Sequence, residues 1–502
     1  MQQPFCFSRS FAENSAARTC PRRRSCVKIQ TERRACARPR KKRKLVVIVL
    51  QTGLRRTDTD MTRGSVLGQL VAFSVPLLIG NIFQQLYNTV DSVVVGNFVG
   101  KEALAAVGSV GPVINMLIGF FNGFATGAGV VISRHYGARQ RENVRTAVQT
   151  TIAMTILMSI VLSALGVVLT PALLRMMQTP EEVLAHASEY LQIYFAGLSG
   201  LLLYNMGAGI LRAVGDSKRP LYFLIVCALA NTALDLLFVA GFRLGTAGAA
   251  IATSLSQLIC AGLVVWTLAR IPGACRLQLS ELRFDRALLG RITAIGLPAG
   301  LASVMYSAAN VIIQKAINLL GTDAAAAWSI FWKLDGIYWP VSNAIGITVM
   351  TFTGQNYGAR QPERIRKIIR TGLGMHLGFS ALFSLTLFLT RYLTVRCFTD
   401  DPAVIAEGVT IICMLAFFYP VFCCVEVFSS AMRGCGNSVM PTVLTLFGTC
   451  LLRLALLYTV TFPHLSNWTI AICYPATWGT TSLLFLIYYR FFRWMPGQKP
   501  QT

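Results

Sequence analysis

Four carboxylates, Asp91, Asp235, Asp335 and Glu426, lie inside long apolar runs, accompanied there by two cations, Lys333 and Arg453. An ionisable group at mid-bilayer costs about 2.5–3.5 kcal/mol even on cautious scales, so each of these needs a chemical reason. Gln84, Asn88 and Asp91 are spaced by four and three, which places them on one face of a helix. Asn231 and Asp235 are four apart and share a face in the same way, while Asn205, and Thr253 with Gln257, add further polar oxygens. Where such faces converge they enclose a chamber holding two carboxylates and several neutral oxygens. Hard oxygen ligands bind Na⁺; alternatively, two close carboxylates hold a proton between them, because charging both is costly. The residue types leave both open. Taken singly, Asn205, Asn231 and Thr253 serve equally well as interhelical hydrogen-bond partners.

Lys333, Asp335, Glu426 and Arg453 are close to charge balance. They are expected either to pair as buried structural ions or to line a cavity that meets or gates a substrate. Pro76 and Pro298 each remove a backbone hydrogen bond and are expected to kink the helix that carries them.

The elements that hold these residues are membrane spans. Of the 502 residues, 54% are apolar and 13% charged, against roughly 25% charged in a soluble domain. Twelve apolar runs, each of about 20 residues and so long enough to cross the hydrocarbon core, recur between Val71 and Tyr489. Backbone groups in lipid must be satisfied internally, and barrel strands would be half as long and would alternate, so the runs are helices. The net charge of +25 does not point to nucleic acid, because the cations sort by side. The odd-numbered loops hold only Lys101, Arg175, Arg243, Lys315, Arg391 and Arg396, and most of the others lie in even-numbered loops or at the ends. By the positive-inside rule, both termini are cytoplasmic.

Residues 1–60 are basic and read as a disordered or non-native extension, with Met61 an alternative start. The cysteines after Met61 have no metal-type spacing and read as small apolar packing.

Tyr136-Gly137-Ala138-Arg139-Gln140 reappears as Tyr357-Gly358-Ala359-Arg360-Gln361. At the same offset, Leu211 to Pro220 aligns with Met432 to Pro441 and Gly100 with Gly321; with one residue of slippage, Pro76 aligns with Pro298 and Asn88 with Asn310. The membrane region is therefore duplicated. Each copy holds six spans, an even number, so both enter the membrane in the same direction about a pseudo-two-fold axis along the membrane normal, the arrangement of transporters that rock two lobes around a central cavity. The expected fold is an all-α integral membrane protein of twelve transmembrane helices in two six-helix lobes, residues 61–275 and 276–502. The copies differ at the chamber: Asp91 aligns with Ile313, Asn231 with Leu452, Asp235 with Leu456 and Thr253 with Tyr474. Packing demands apply to both halves, so confinement to one half favours a specialised ion site there.

From about Met61 to Trp494 the chain resembles the bacterial multidrug and toxic compound extrusion (MATE) transporters. The resemblance is carried by Pro76 with Gln84-Gln85-Leu86-Tyr87-Asn88-Thr89-Val90-Asp91, the paired Tyr-Gly-Ala-Arg-Gln loops, Leu211 to Asp216, Asn231 to Asp235, and Gly248 to Thr253. It implies a V-shaped pair of lobes in the cell inner membrane, exporting small cationic and amphipathic organic compounds in exchange for Na⁺ or H⁺, with no other cofactor, and working as a monomer. Within it, Asp91, Asn205, Asn231, Asp235 and Thr253 match the coupling-cation residues of the DinF-like branch, and Gln84 matches a neighbour of that site. Asn88, Lys333, Asp335, Glu426 and Arg453 are left as candidates for the substrate cavity or its gating.

A lipid-linked oligosaccharide flippase of the same wider superfamily is the nearest rival, but it calls for several cavity cations where this chain offers two. A major-facilitator loop is missing between Arg134 and Arg145, and no pore motif repeats. With four histidines and no nucleophile, metal or phosphate-loop constellation, the chain does not read as an enzyme.

Overall fold

The computed structural model describes residues 60–176, 181–492 and 494–495, so the extension expected over residues 1–60 lies, apart from Asp60, outside the described residues. All regular structure among the described residues is helical. The first half comprises α1 (Val66–Phe98), α2 (Lys101–Gly137), α3 (Arg141–Met176), α4 (Glu181–Ala196), α5 (Leu198–Ala213), α6 (Lys218–Asp235) and α7 (Gly245–Arg270). The second half comprises α8 (Arg286–Leu319), α9 (Thr322–Gly358), α10 (Pro362–Leu389), α11 (Arg391–Arg396), α12 (Pro402–Leu415), α13 (Tyr419–Gly434), α14 (Val439–Thr445), α15 (Leu452–Leu456) and α16 (Asn467–Phe491).

Ten described helices are long and apolar enough to cross a membrane, and the pair α4 and α5, bent by 48°, makes eleven when read as one span. The remaining expected span falls in α9, a helix of 37 residues that is long enough to cross but carries Lys333, Asp335, Gln355 and Asn356. Polar content, rather than length, keeps it out of the apolar class.

The duplication is visible in the backbone. The same aligned pairs adopt positive φ: Gly100 and Gly321 at 118° and 103°, Arg139 and Arg360 at 58° and 56°, Gly215 and Gly436 at 100° and 86°. Each arginine sits just past a long helix, where the left-handed conformation ends the hydrogen-bond ladder. Single π turns likewise recur, at Leu236–Gly241 and Leu457–Thr461.

The apolar cores show how the copies are joined. One buried cluster gathers residues between Phe124 and Cys275 together with Leu288, Ile292 and Ile295 of α8. Another runs through the second half and takes in Val66, Leu70, Phe73 and Leu77 of α1. The later residues Val94 and Val95 of α1 return to a first-half cluster, and Ile313 and Ile317 of α8 to the second-half one. The first helix of each copy therefore begins in the core of the other copy and ends in its own. Pro76 and Pro298 lie inside these two helices at the handover.

Of the crossings between the halves, two equivalent ones are built by different means. On α2, Gly119, Gly123 and Gly127 face Ser303, Gly300 and Gly296 of α8, so closely that an added Cβ at Gly123 or Gly127 would collide with α8 backbone. Small residues at a four-residue spacing permit this backbone approach between membrane helices. The equivalent crossing of α1 with α9 relies on side chains, with Asn81 donating to the Pro340 carbonyl at 3.0 Å and Thr348 to the Ser74 hydroxyl at 3.3 Å. The start of α1 is also fastened to α10, whose Arg364 donates to the carbonyls of Met61, Arg63 and Gly64 at 2.9–3.1 Å.

Candidate functional site

Asp91 near the end of α1, Asn231 and Asp235 on α6, and Thr253 on α7 are all buried, Asn231 and Asp235 completely. Helical spacing delivers Asn231 and Asp235 to one face, and Asn231 Nδ2 reaches Thr253 Oγ1 at 3.4 Å. Asp235 is the last residue of α6 before the π turn Leu236–Gly241 loosens the helix; such single π turns are frequent at functional sites. Asp91 and Asp235 lie within each other's electrostatic reach, and both act on the Tyr190 hydroxyl.

The site is rich in acceptors and poor in donors. Asp91 Oδ1, both carboxylate oxygens of Asp235, Asn231 Oδ1 and Gln257 Oε1 are buried without a hydrogen-bond partner among the described residues. A buried carboxylate without donors is costly, and two close together are worse. Adding a cation removes the cost. Either Na⁺ or a proton fits this donor set, since all of the groups are hard oxygens.

Gln84 and Asn205, expected in the same chamber, belong to another space whose lining includes none of Asp91, Asn231, Asp235 and Thr253. With Asn81, Asn122 and Arg212 they line a cavity of about 190 Å³ between α1, α2, α5, α6 and α9. Asn205 spends its amide nitrogen on the Leu201 carbonyl of its own helix at 3.0 Å. Tyr87 links the two places: its hydroxyl accepts from Gln257 Nε2 at 3.3 Å, and it lies between Gln84 and Asp91 on the buried side of α1. Asn88, expected on that face, is exposed. A rotation of about 100° per residue centres the inward stripe on Gln84, Tyr87 and Asp91 and leaves Asn88 at its edge. Tyr87 was thus readable from the spacing, whereas Tyr190, on the separate helix α4, left no periodic signal.

The second-half charges do not pair with one another. Among the described residues, none of Lys333, Asp335, Glu426 and Arg453 has an opposite charge within 4.0 Å. Two residues apart on α9, Lys333 and Asp335 point to different sides: Lys333 is exposed, with its ammonium 5.3 Å from the Phe398 ring centre. Asp335 is instead saturated by neutral donors, taking Trp339 Nε1 on Oδ2 at 2.6 Å and the Tyr419 hydroxyl on Oδ1 at 2.7 Å. Arg453, fully buried, donates to Asn310 Oδ1 at 3.2 Å and Thr477 Oγ1 at 3.3 Å and lies over the Tyr474 ring at 4.8 Å. Glu426 packs on Gly346 of α9 and hydrogen-bonds to Ser430.

A polar chain overlooked in the sequence continues from Asp335. The Tyr338 hydroxyl donates to the Tyr419 carbonyl at 3.3 Å and meets Ser380 Oγ at 3.1 Å; Ser380 meets His376 Nδ1 at 3.2 Å, and His376 Nε2 meets Ser342 Oγ at 2.8 Å. His376 was identifiable in principle, as a histidine inside an apolar run.

Comparison with known proteins agrees with this architecture. The MatE family pattern matches residues 76–237 and again 298–459, one match in each copy. The "Probable multidrug resistance protein YpnP" of Bacillus subtilis strain 168 is 29% identical over 446 residues, covering 87% of this chain and 97% of the relative. The "Probable multidrug resistance protein YoeA" of the same organism is 27% identical over 438 residues, covering 86% and 95%. Among solved structures, an outward-facing multidrug resistance MATE family transporter of the MOP superfamily superimposes with a TM-score of 0.80 at 23% identity, over 86% of this chain and 97% of that one.

Proposed function

The chain belongs to the MatE family, and from that premise we propose a cation-coupled export cycle whose ion site is the Asp91–Asp235 cluster. It is a multidrug efflux transporter of that family, not an enzyme. Its substrates are small organic compounds, often cationic, and it exchanges them for Na⁺ or H⁺ by alternating access of lobes 61–275 and 276–502. The coupling cation sits against Asp91, Asp235, Asn231 and Thr253, as in the DinF-like branch, with Gln84 and Asn205 in the separate polar cavity. The protein works as a monomer in the cell inner membrane with both termini cytoplasmic.

One observation carries this reading: five buried oxygens on three mutually packed helices have no hydrogen-bond donor among the described residues. Such a cluster is stable only while it holds a cation, so cation release and the rearrangement of α1 against α6 and α7 are linked. Pro76, at the point where α1 passes between the cores, gives that helix a place to bend. A flippase for pyrophosphate-linked lipids would need several cations turned into the cavity; here Lys333 is exposed and Arg453 is hydrogen-bonded within the second half, which leaves Arg212 as the one cation among the described residues lining the first-half polar cavity.

Efflux of a fluorescent organic cation from reconstituted vesicles, under Na⁺ and pH gradients imposed separately, tests the proposal. Acceleration by one or both gradients is expected. Identical rates with and without each gradient would refute coupling.

A further inference from the structure

The two copies of the Tyr-Gly-Ala-Arg-Gln loop touch each other. A Cβ on Gly137 would collide with the Gln355 carbonyl, and one on Gly358 with the Arg134 carbonyl. These two contacts are the same contact made twice, once from each copy, so the pseudo-two-fold axis passes between them. Beside them opens a cavity of about 840 Å³, to which the first half contributes Arg134 and His135 and the second half Arg291, Tyr357 and Arg360.

Its lining contains no aspartate or glutamate, and among the described residues Arg134, Arg291 and Arg360 make no ion pair within 4.0 Å. Arg134 is held in place, its guanidinium 4.7 Å above the Tyr357 ring and against the turn at Gly436. Three guanidinium groups and an imidazole thus face one space from both halves with no carboxylate among the described residues to neutralise them. Exposed cations scattered along a positive loop face would be unremarkable; here they are gathered around a concave site of ligand size, at the ends of membrane-spanning helices where phosphate headgroups lie.

We propose that this cavity binds a phosphate-bearing anion that bridges the two loops. Guanidinium groups suit phosphate because their planar forks donate in parallel to two of its oxygens. An anion held from both halves binds only while the loops are together, so it favours the state in which Gly137 and Gly358 are in contact. A lipid headgroup and a free phosphate share this chemistry.

The test uses the full-length protein in uncharged detergent, following the thermal unfolding midpoint against inorganic phosphate and, separately, against phosphatidylglycerol, with phosphatidylcholine as the zwitterionic control. A saturable upward shift with phosphatidylglycerol at lower concentration than with phosphate identifies a lipid headgroup; a shift with phosphate alone identifies a soluble anion. Arg360→Gln and Arg291→Gln alter exposed side chains of the second half, and Arg134→Gln alters the first; His135→Gln stands in for the last if losing the Tyr357 contact prevents folding. Variants from both halves are each expected to weaken apparent binding by roughly tenfold. No shift with either anion, or an undiminished shift in the variants, overturns the site. Loss confined to variants of one half overturns the bridging. Neither result bears on cation coupling, because no transport is measured.

Discussion

Asp235 and Asp335 are carboxylates inside apolar helical bundles of one duplicated chain, yet their surroundings treat them in opposite ways. Asp335 receives an indole N–H on one oxygen and a phenol on the other, and the network behind it runs on through Tyr338 and Ser380 to His376. Among the described residues Asp235 receives no hydrogen bond on either oxygen, and it feels the charge of a second carboxylate, Asp91. Protein donors that saturate a charge fix it permanently. A charge left to an exchangeable cation becomes a point where the gradient acts on the structure. The halves have thus diverged in the donors they offer a buried carboxylate, the difference on which the proposed coupling site rests, while keeping the same turns at Gly100 and Gly321, Arg139 and Arg360, and Gly215 and Gly436.

The largest effect that would break this comparison lies in the first half. Asp235→Asn, or Asp91→Asn, is expected to reduce gradient-driven efflux to the rate without a gradient, a fall of at least about tenfold or roughly 1.4 kcal/mol in the barrier, read in the same vesicles. Next comes the joint between the halves. Gly123→Val is expected to prevent α2 and α8 from meeting and to remove most folded protein, seen as loss of the monodisperse peak in detergent, whereas Ser74→Ala at the side-chain crossing leaves that peak in place. A smaller effect belongs to Asp335→Ala, which strands the Trp339 and Tyr419 donors. It should lower stability by about 1–3 kcal/mol, visible in thermal unfolding, while efflux still responds to the gradient. Smallest of all is Ile313→Asn, which restores a polar group at the position equivalent to Asp91. Efflux in that variant should keep its Na⁺ or H⁺ dependence; losing it would mean the second half shares the coupling role.

Much of the fold was legible because membrane spans and duplication leave long-range signals: apolar length and the repeated Tyr-Gly-Ala-Arg-Gln turns. The first-half chamber was legible because Asn231 and Asp235 share a helical face and carboxylates in such runs are rare. What stayed hidden depended on which helices meet. The stripe Gly119, Gly123 and Gly127 was in plain view, but its partner, Gly296 and Gly300 of α8, belongs to the other copy. Tyr190 joins the chamber only through the packing of α4. Lys333 and Asp335 invited pairing by charge, whereas helical rotation separates them and neutral aromatic donors take the carboxylate. Asn88 shows the same limit on a finer scale, since one step around the helix moves it off the buried stripe.

The central claim is that the exchangeable cation resides between Asp91 and Asp235. Its most direct test is the binding of Na⁺, or the release of protons that accompanies substrate binding, measured by titration calorimetry on purified wild type, Asp91→Asn, Asp235→Asn and Glu426→Gln. The account predicts that wild type and Glu426→Gln give the same cation signal and that both aspartate variants lose it. Persistence of the signal in the aspartate variants, with loss in Glu426→Gln, would contradict it and move the coupling site to the second half.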